Sequence, residues 1–344
     1  MRVLLTGHEG YLGAVVARVL RDAGHELAGL DVGYFAGCDL GPAAPGIVSV
    51  GRDVRDVTPE AVAGFDAVVH LAALSNDPLG DLAPELTHEI NVEGSARLAR
   101  AARDAGVRRF VFASSCSIYG ASGDDLVSEG APLRPVTPYA ESKVRVEELL
   151  HDLADRDFCP VILRNATVYG FSPRLRTDLV VNDFVASAVL DGRVRVLSDG
   201  TPWRPVVHVE DLACVVRAAL AAPEETVRNQ AVNVGTAEQN HRVRDLAEIV
   251  GRTLGAEVDI TGERGADLRS YRVDFSKLAE VLPGFTSSWD VAAGARELAD
   301  AYRGFDLDPD AVRNRFTRLA RQRALVDGGA LDGDLRWTGS PRPR

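Results

Sequence analysis

Two side chains in the middle of the chain, Tyr139 and Lys143, have the types and spacing for acid–base chemistry on a hydroxyl group. They lie four residues apart, and Pro138 after Thr137 is typical of a helix start, so both are predicted on one helix face. An ammonium group near a phenol favours the phenolate and lowers the pKa of the phenol. Such a tyrosine can exchange a proton with a substrate hydroxyl, and Ser115, after a predicted strand, could hold the same oxygen.

The Tyr-x-x-x-Lys spacing alone is also typical of a solvated helix face, so the preceding elements must decide between the two interpretations. Residues 1–6 are rich in strand formers, and three glycines follow at intervals of three: Gly7, Gly10 and Gly13. The next segment is apolar at helical spacing and ends near Gly24, a typical C-cap. A glycine turn between strand and helix lets backbone N–H groups and a helix N-terminus approach a pyrophosphate. The usual dinucleotide fingerprint has a different glycine spacing, so this turn alone is a weak signal.

Two acidic residues at predicted strand ends extend the dinucleotide interpretation. Asp31 ends the second predicted strand, about twenty residues after the glycines, where a ribose hydroxyl needs an acceptor. A carboxylate there would repel a 2′-phosphate, which favours NAD over NADP; the alternative is a solvated strand-end acid. Asp53 ends a third candidate strand, residues 47–53, and could accept from an adenine amino group or be a surface acid.

Strand and helix patterns alternate through the first half of the chain, which predicts an α/β fold with a doubly wound parallel sheet. Residues 67–73 form a fourth strand that is apolar on both faces, residues 84–106 a long helix, and residues 108–114 a fifth strand. The loops after residues 6, 31, 53, 72 and 114 should therefore line one crevice. We predict a Rossmann domain over residues 1–170 plus about 205–235, and a smaller substrate-binding lobe over 171–204 and 236–344.

Composition excludes several function classes. The chain has 344 residues, 46% apolar and 26% charged, which is ordinary for a globular protein. A net charge of −11 argues against a general nucleic-acid or anionic-membrane binder. The four cysteines show no metal or redox spacing, no apolar run approaches a membrane span, and no signal peptide is evident, so we expect a cytoplasmic protein without a metal.

Taken together, these motifs resemble the extended short-chain dehydrogenases/reductases, in the nucleotide-sugar epimerase/dehydratase branch. The resemblance covers roughly residues 1–300. Besides the glycine turn and Tyr139-x-x-x-Lys143, it rests on further motifs: His70-Leu-Ala-Ala73, Asn91, Ser114-Ser115, Tyr169-Gly170 and the segment from Arg204 to Asp211.

The resemblance implies roles for particular residues. Ser115, Tyr139 and Lys143 would form a catalytic triad with Tyr139 as acid/base. Tyr139 and Lys143 would also contact NAD, together with a wider set of residues: Gly7, Gly10, Tyr11, Leu12, Gly13, Asp31, Asp53, Val54, Leu71, Ala72, Ala73 and Asn91. A nucleotide-diphosphate sugar would contact another set: Ser75, Ser114, Asn165, Thr167, Asn182, Arg204 and Arg264. Arg204 and Arg264 match diphosphate-binding arginines, and a guanidinium fork suits two phosphate oxygens.

Two departures from the branch narrow the prediction. Sugar-nucleotide 4,6-dehydratases carry an Asp-Glu pair just after the catalytic hydroxyl, where this chain has Cys116-Ser117. Neither side chain is a good acid near neutral pH, which argues against dehydration. Thr167 stands where many relatives place a substrate-binding Asn, and Asn165 is the candidate to compensate.

The favoured function is therefore a nucleotide-sugar epimerase that holds NAD and works through a keto-sugar intermediate. The alternatives are an NAD(P)-dependent ketoreductase of deoxysugar biosynthesis, a dehydratase whose acid comes from elsewhere in the chain, and a non-catalytic NAD sensor. Relatives usually pair through two long helices, so a homodimer through residues 84–106 and 137–155 is expected. Residues after about 303 fall outside the resemblance and could cover the substrate pocket or a subunit interface; the last residues, 338–344, look disordered.

Overall fold

The computed structural model describes residues 1–42, 47–51, 53–75, 83–263 and 269–339. Seven parallel strands form the main sheet in the order β11-β7-β5-β4-β1-β2-β3. The main-sheet strands have these bounds: β1 Arg2–Thr6, β2 Glu26–Leu30, β3 Val48–Gly51, β4 Ala67–His70, β5 Arg109–Ser115, β7 Cys159–Asn165 and β11 Gln230–Val234. This confirms the predicted doubly wound parallel sheet, and residues 230–234 form the strand at one of its edges.

Both faces of the sheet are covered by helices, which is why its central strands are apolar throughout. In β1, Val3 and Leu5 pack into one core with the helix Tyr11–Asp22, whereas Leu4 packs into the core on the opposite face. All residues of β4 and β7 are buried. The described helices have these bounds: α1 Tyr11–Asp22, α2 Pro59–Val62, α3 Pro84–Thr87, α4 Gly94–Asp104, α5 Pro138–Leu153, α6 Val180–Asp191, α7 Val209–Ala221, α8 Glu224–Val227, α9 Val243–Leu254, α10 Ser276–Val281, α11 Val291–Gly304 and α12 Arg318–Asp327.

The long helix predicted over residues 84–106 is irregular in its middle. A π-helical segment, His88–Glu93, joins α3 to α4, so the run is continuous but its register changes. The third strand is also shorter than predicted, Val48–Gly51 instead of residues 47–53. Within the described ranges, no helix has both the length and the apolarity that a membrane crossing requires.

Smaller sheets and a third core combine residues assigned to the second lobe with residues assigned to the Rossmann domain, such as 121–127 and 167–169. Their strands have these bounds: β6 Ala121–Val127, β8 Thr167–Tyr169, β9 Arg193–Val196, β10 Trp203–His208, β12 Asn240–Arg242, β13 Glu257–Ile260 and β14 Ser270–Val273. In the third core, apolar side chains of α6, α9 and α11 pack with Phe316. The division into two lobes at the predicted boundaries stays a prediction.

The C-terminal segment, which we define as residues 307–338, folds back onto the main domain. Its π-helical turn Ala311–Arg315 and α12 are followed by a bridge between Leu331 and Trp337. The Trp337 indole donates to the Val32 carbonyl at 2.8 Å, and Tyr34 donates its hydroxyl to the Leu335 carbonyl at 2.5 Å. The segment therefore contacts the loop that follows β2. Of residues 338–344, for which disorder is predicted, Thr338 is instead held by hydrogen bonds to the carbonyl oxygens of Ala330, at 3.1 Å, and Gly329, at 2.7 Å, and residues 340–344 lie outside the described residues.

Candidate active site

A cavity of about 1000 Å³ lies beyond the carboxyl ends of the parallel strands, where the sequence predicts a crevice. The predicted site residues that line it are these: Gly7, Gly10, Tyr11, Leu12, Gly13, Asp31, Asp53, Val54, Leu71, Ala72, Ala73, Ser75, Ser114, Ser115, Tyr139, Lys143, Asn165, Thr167 and Arg204. They come from the loops after β1, β2, β3 and β4, from the start of α1, from the last residues of β5 and β7, and from α5, β8 and β10. The fold thus brings residues that are up to about 200 positions apart in the sequence to the same cavity.

The glycine turn permits an unusually close approach between β1 and α1. Gly7 has φ +72°, and a Cβ there would lie 2.8 Å from the Ala72 backbone nitrogen. A Cβ on Gly13 would lie only 2.1 Å from the Gly7 carbonyl oxygen. Without these side chains, the first turn of α1 reaches the cavity, and first-turn N–H groups have no partner within their own helix. The donor set therefore fits the pyrophosphate of a dinucleotide.

Replacing Gly13 with Ala should remove cofactor binding. The added methyl overlaps backbone atoms of the turn, so α1 must shift away from the cavity. We expect purified Gly13→Ala to carry at least about ten-fold less NAD per chain than the unmodified protein, measured by absorbance after acid release. Gly304→Ala is the control, because a Cβ there meets nothing within 4 Å. Full NAD content in Gly13→Ala would contradict this account of the turn.

The two predicted acidic residues both line the cavity but are held differently. Asp31 accepts backbone hydrogen bonds from Glu9 at 3.0 Å and from Gly33 at 2.8 Å. Its carboxylate is thus fixed beside the glycine turn, as an acceptor for a ribose hydroxyl must be. Burial would raise the pKa of Asp53, but hydrogen bonds and charge from Arg55 outweigh it and hold the pKa below its ordinary value.

Tyr139, Lys143 and Ser115 meet at the cavity, as the sequence predicts. The Lys143 ammonium lies 5.5 Å from the Tyr139 ring centroid and donates to the Ala113 carbonyl at 2.8 Å. Burial lowers the pKa of Lys143 to about 7, although the Glu147 carboxylate acts in the opposite direction. The Ser115 hydroxyl oxygen accepts from the Ser117 N–H at 3.1 Å, which orients its own hydrogen elsewhere.

Sequence analysis missed a buried ion pair that involves the same helix as Tyr139 and Lys143. Glu147, one turn after Lys143, accepts from the Arg164 guanidinium through both carboxylate oxygens, at 2.6 to 3.2 Å. Both side chains are almost completely buried. Ser114 lines the cavity, but its hydroxyl donates to Glu147 at 2.5 Å. The hydroxyl is therefore committed to the core, which argues against the predicted substrate contact of Ser114.

The two residues after Ser115 present no acid to the cavity. The Cys116 thiol is fully buried and donates to the Arg164 carbonyl at 3.1 Å, and burial raises its pKa. Ser117 lines the cavity instead. The positions where 4,6-dehydratases are expected to carry Asp and Glu are thus occupied by an inward thiol and a hydroxyl.

Two predicted ligand contacts, Asn91 and Asn182, are structural. The Asn91 amide bonds both the N–H and the carbonyl of Leu74, at 2.8 and 3.1 Å, and donates to Ser142 at 3.1 Å. Asn182 has no solvent exposure; its oxygen accepts from the Gly170 N–H at 3.0 Å and its nitrogen donates to the Arg176 carbonyl at 2.9 Å. Neither lines the cavity, because each is turned inward to hold a loop.

The remaining predicted substrate contacts lie around one end of the cavity. Asn165 is buried, and its side-chain oxygen has no hydrogen-bond partner among the described residues. Thr167 is half-buried, and Ser75 accepts a hydrogen bond from Arg176 at 3.1 Å. Arg204 is 8% exposed and donates to the carbonyl oxygens of Trp203 and Arg269. Arg264 lies outside the described residues.

Charged residues of the second lobe and the C-terminal segment also line the cavity, and sequence analysis did not select them as site residues: Arg176, Asp178, Asp183, Arg269, Arg313 and Arg318. Burial, reinforced by the charge of Asp178, raises the pKa of Asp183 to about 6. No local motif marks these positions, since each reaches the cavity only through the packing of distant segments.

His208 makes contacts that hold the protein's own elements together. Its Nε2 lies 2.9 Å from a Glu297 carboxylate oxygen, its ring stacks on Trp289 at 4.0 Å, and Nδ1 accepts from the Glu210 N–H at 3.3 Å. These contacts fix the start of α7 and use both ring nitrogens.

Comparison with known proteins agrees with this geometry. Residues 3–235 match the model of the NAD dependent epimerase/dehydratase family. The chain belongs to this family. Its predicted cofactor, NAD, is the cofactor of the family, and the predicted resemblance to the extended short-chain dehydrogenases/reductases is confirmed.

Similar family members include epimerases and a dehydratase. The UDP-glucose 4-epimerase of Mycolicibacterium smegmatis is 32% identical over 317 residues, which cover 88% of this chain and 99% of that protein. The solved UDP-glucose 4-epimerase of Stenotrophomonas maltophila, with NAD and formylated UDP-arabinopyranose, is 29% identical with a TM-score of 0.76, covering 89% and 99%. An NAD-dependent NDP-hexosamine 5,6-dehydratase of tunicamycin biosynthesis is 25% identical with a TM-score of 0.79, covering 88% and 98%. Family membership therefore establishes an enzyme of nucleotide-sugar epimerase/dehydratase type and leaves the reaction open.

Proposed function

We propose that the protein is a nucleotide-sugar epimerase that oxidises a sugar carbon and reduces it again from the opposite face. The observation that carries this proposal is that Tyr139, Lys143 and Ser115 line one cavity. The two residues after Ser115 are Cys116, whose thiol points into the core, and Ser117. These side chains can therefore accept a proton from one sugar hydroxyl and return it. The carboxyl pair expected of a 4,6-dehydratase is absent from the sequence at those positions.

Each residue of the triad has a separate task. The Tyr139 phenolate accepts the proton of a sugar hydroxyl and returns it after the keto-sugar has turned. The Lys143 ammonium favours that phenolate through its positive charge, and Ser115 binds the same sugar oxygen. NAD, held by the glycine turn and Asp31, would supply both hydride acceptance and hydride return when bound, so the proposed reaction would have no net redox change.

The test is an incubation of the purified protein with UDP-glucose, UDP-glucuronic acid and dTDP-glucose, without added cofactor. Inversion of one sugar carbon, followed by NMR and without accumulation of NADH, is the expected result. In a parallel incubation with added NADH and a keto-sugar nucleotide, consumption of NADH in proportion to sugar reduced would instead identify a ketoreductase. NAD binding without turnover of any nucleotide sugar would favour the non-catalytic sensor.

One observation favours a dehydratase as the second candidate. Asp183 lines the cavity, and a carboxyl with a pKa of about 6 is partly protonated near neutral pH, as an acid catalyst needs to be. Under this alternative, a dehydrated keto-sugar is released and Asp183→Asn stops its formation. If the protein is an epimerase, Asp183→Asn keeps epimerisation and no dehydrated product forms.

We also propose a homodimer through α3–α4 and α5. Exposed side chains of opposite charge lie on the two helices, Arg97 and Arg100 on α4 and Glu141 on α5. A two-fold axis that brings the helices of two chains together would allow these groups to pair between chains. Light scattering after size exclusion should give twice the chain mass of 36.9 kDa. The mass of a single chain at micromolar concentration would contradict the proposed dimer.

A further inference from the structure

The C-terminal segment supplies a cation to the cavity from outside the part of the chain that matches the family model. That match ends at residue 235, whereas Arg318 and Gln322 of α12 line the cavity. The segment is held there by Thr177, whose N–H donates to the Phe316 carbonyl at 3.2 Å and whose hydroxyl donates to the Val312 carbonyl at 3.1 Å. Arg318 is thus part of a fixed wall.

Arg318 is buried with only partial compensation for its charge, which comes from the Asp178 carboxylate. It is 3% exposed, and its guanidinium stacks on the Phe35 ring at 3.9 Å. Its Nη2 donates to the Arg174 carbonyl at 3.3 Å, but Nη1 has no hydrogen-bond partner among the described residues. Burial lowers the pKa of Arg318 to about 9, and the charge of Arg176 adds to this effect. A buried cation with an unused donor is unfavourable unless an anion joins it.

The charges of the neighbouring side chains also favour binding of an anion near Arg318. Arg176 binds the Asp178 carboxylate through two hydrogen bonds, at 2.8 and 3.3 Å, and Asp178 also accepts from the Arg318 backbone N–H at 3.3 Å. Arg174 pairs with Asp39. The single carboxylate of Asp178 therefore acts on two guanidinium groups, Arg176 and Arg318, and their combined positive charge exceeds its negative charge. Arg176 and Arg318 line the same cavity as Gly7, Gly10 and Gly13 of the glycine turn.

We propose that Arg318, together with Arg176, binds a diphosphate in this cavity, so that the C-terminal segment takes a direct part in ligand binding. A guanidinium fork matches two phosphate oxygens, and a diphosphate supplies the negative charge that this wall needs. Two sources share this chemistry, the pyrophosphate of NAD and the diphosphate of a nucleotide sugar. The inference rests on the proposed function only in expecting both ligands in one cavity.

The test compares Arg318→Met with Arg323→Met in the full-length protein as purified with its cofactor. Methionine keeps an unbranched stem against Phe35, and Arg323 is an exposed arginine on the same helix. Release of bound NAD is followed by exchange with labelled NAD, and UDP binding is measured by titration calorimetry. Loss of charge-assisted hydrogen bonds should change one of these by about ten- to hundred-fold in Arg318→Met, with Arg323→Met unchanged.

The two measurements identify the ligand. Faster NAD release with unchanged UDP affinity assigns Arg318 to the cofactor, and weaker UDP binding with unchanged NAD release assigns it to the substrate. Unchanged values for both ligands, or equal losses in Arg323→Met, would overturn the proposal. Arg318→Lys, which keeps the charge without the fork, should recover part of the loss. All readouts are binding, so they remain informative even if the protein does not epimerise any sugar.

Discussion

Tyr139→Phe should lower the rate of epimerisation by about a thousand-fold, within the range of 10² to 10⁴ that general acid–base catalysis contributes. The substitution removes the phenolic proton acceptor and leaves the ring, which lies 5.5 Å from the Lys143 ammonium. Because the pyrophosphate contacts lie at the glycine turn, the variant should carry as much NAD as the unmodified protein. The measurement is the initial rate of sugar inversion by NMR, with NAD content determined in parallel.

A second tyrosine provides the control for this experiment. The Tyr169 hydroxyl is buried and has no hydrogen-bond partner among the described residues, and Tyr169 does not line the cavity. Tyr169→Phe should therefore keep the full rate. If Tyr139→Phe kept more than a tenth of the rate, the assigned proton transfer would be wrong; if it lost NAD as well, its effect would be on binding.

Glu147→Ala should destabilise the fold by about 3–5 kcal/mol, since breaking a buried ion pair leaves an uncompensated charge in the core. The pair with Arg164 joins α5 to β7 directly beneath Lys143, and its side chains are 3% and 6% exposed. Glu147 also accepts the Ser114 hydroxyl, so its loss leaves a second buried donor without this acceptor. The free energy of unfolding is measured in urea at constant NAD concentration, because bound cofactor adds to apparent stability.

The neighbouring Glu148 is a matched control. It is exposed and pairs with Arg145 at 3.5 Å, within one helical turn. Surface pairs of this kind contribute little, so Glu148→Ala should change stability by no more than about 0.5 kcal/mol. Equal effects of the two substitutions would show that burial of the Glu147–Arg164 pair does not matter. Glu147→Gln, which keeps an acceptor, should lose less than Glu147→Ala.

The sequence predicts best those features that depend on local pattern. Apolar runs, glycines at a strand end and the i, i+4 spacing of Tyr139 and Lys143 are visible within a few residues, and they identify the parallel sheet, the turn and the catalytic helix. The order of parallel strands also follows, because right-handed crossovers leave few alternatives. The residues at strand ends consequently meet where they are expected.

The sequence does not predict the direction of a side chain or the distant residues to which it hydrogen-bonds. Asn91, Asn182 and Ser114 match the motifs of the family, yet their polar groups are turned to Leu74, Gly170 and Glu147. A motif fixes a residue type at a position, whereas the rotamer is decided by whichever partner the fold brings near. Arg318 illustrates the converse case, since it lies in a segment outside the resemblance and reaches the cavity through contacts 140 residues away in sequence.

The irregular segment His88–Glu93 has a consequence for how the chain tolerates deletions. A π-helical turn contains more residues than an α-helical turn, so the helix has extra residues at this point. Removing one residue would restore regular winding, but it would shift Asn91, which lies inside this segment, relative to its hydrogen-bond partners. The Leu74 loop and Ser142, whose hydroxyl donates to the Tyr139 carbonyl at 2.7 Å, would then lose their common anchor. A shorter and more regular helix would make a poorer support for the loop after β4 and for the first turn of α5.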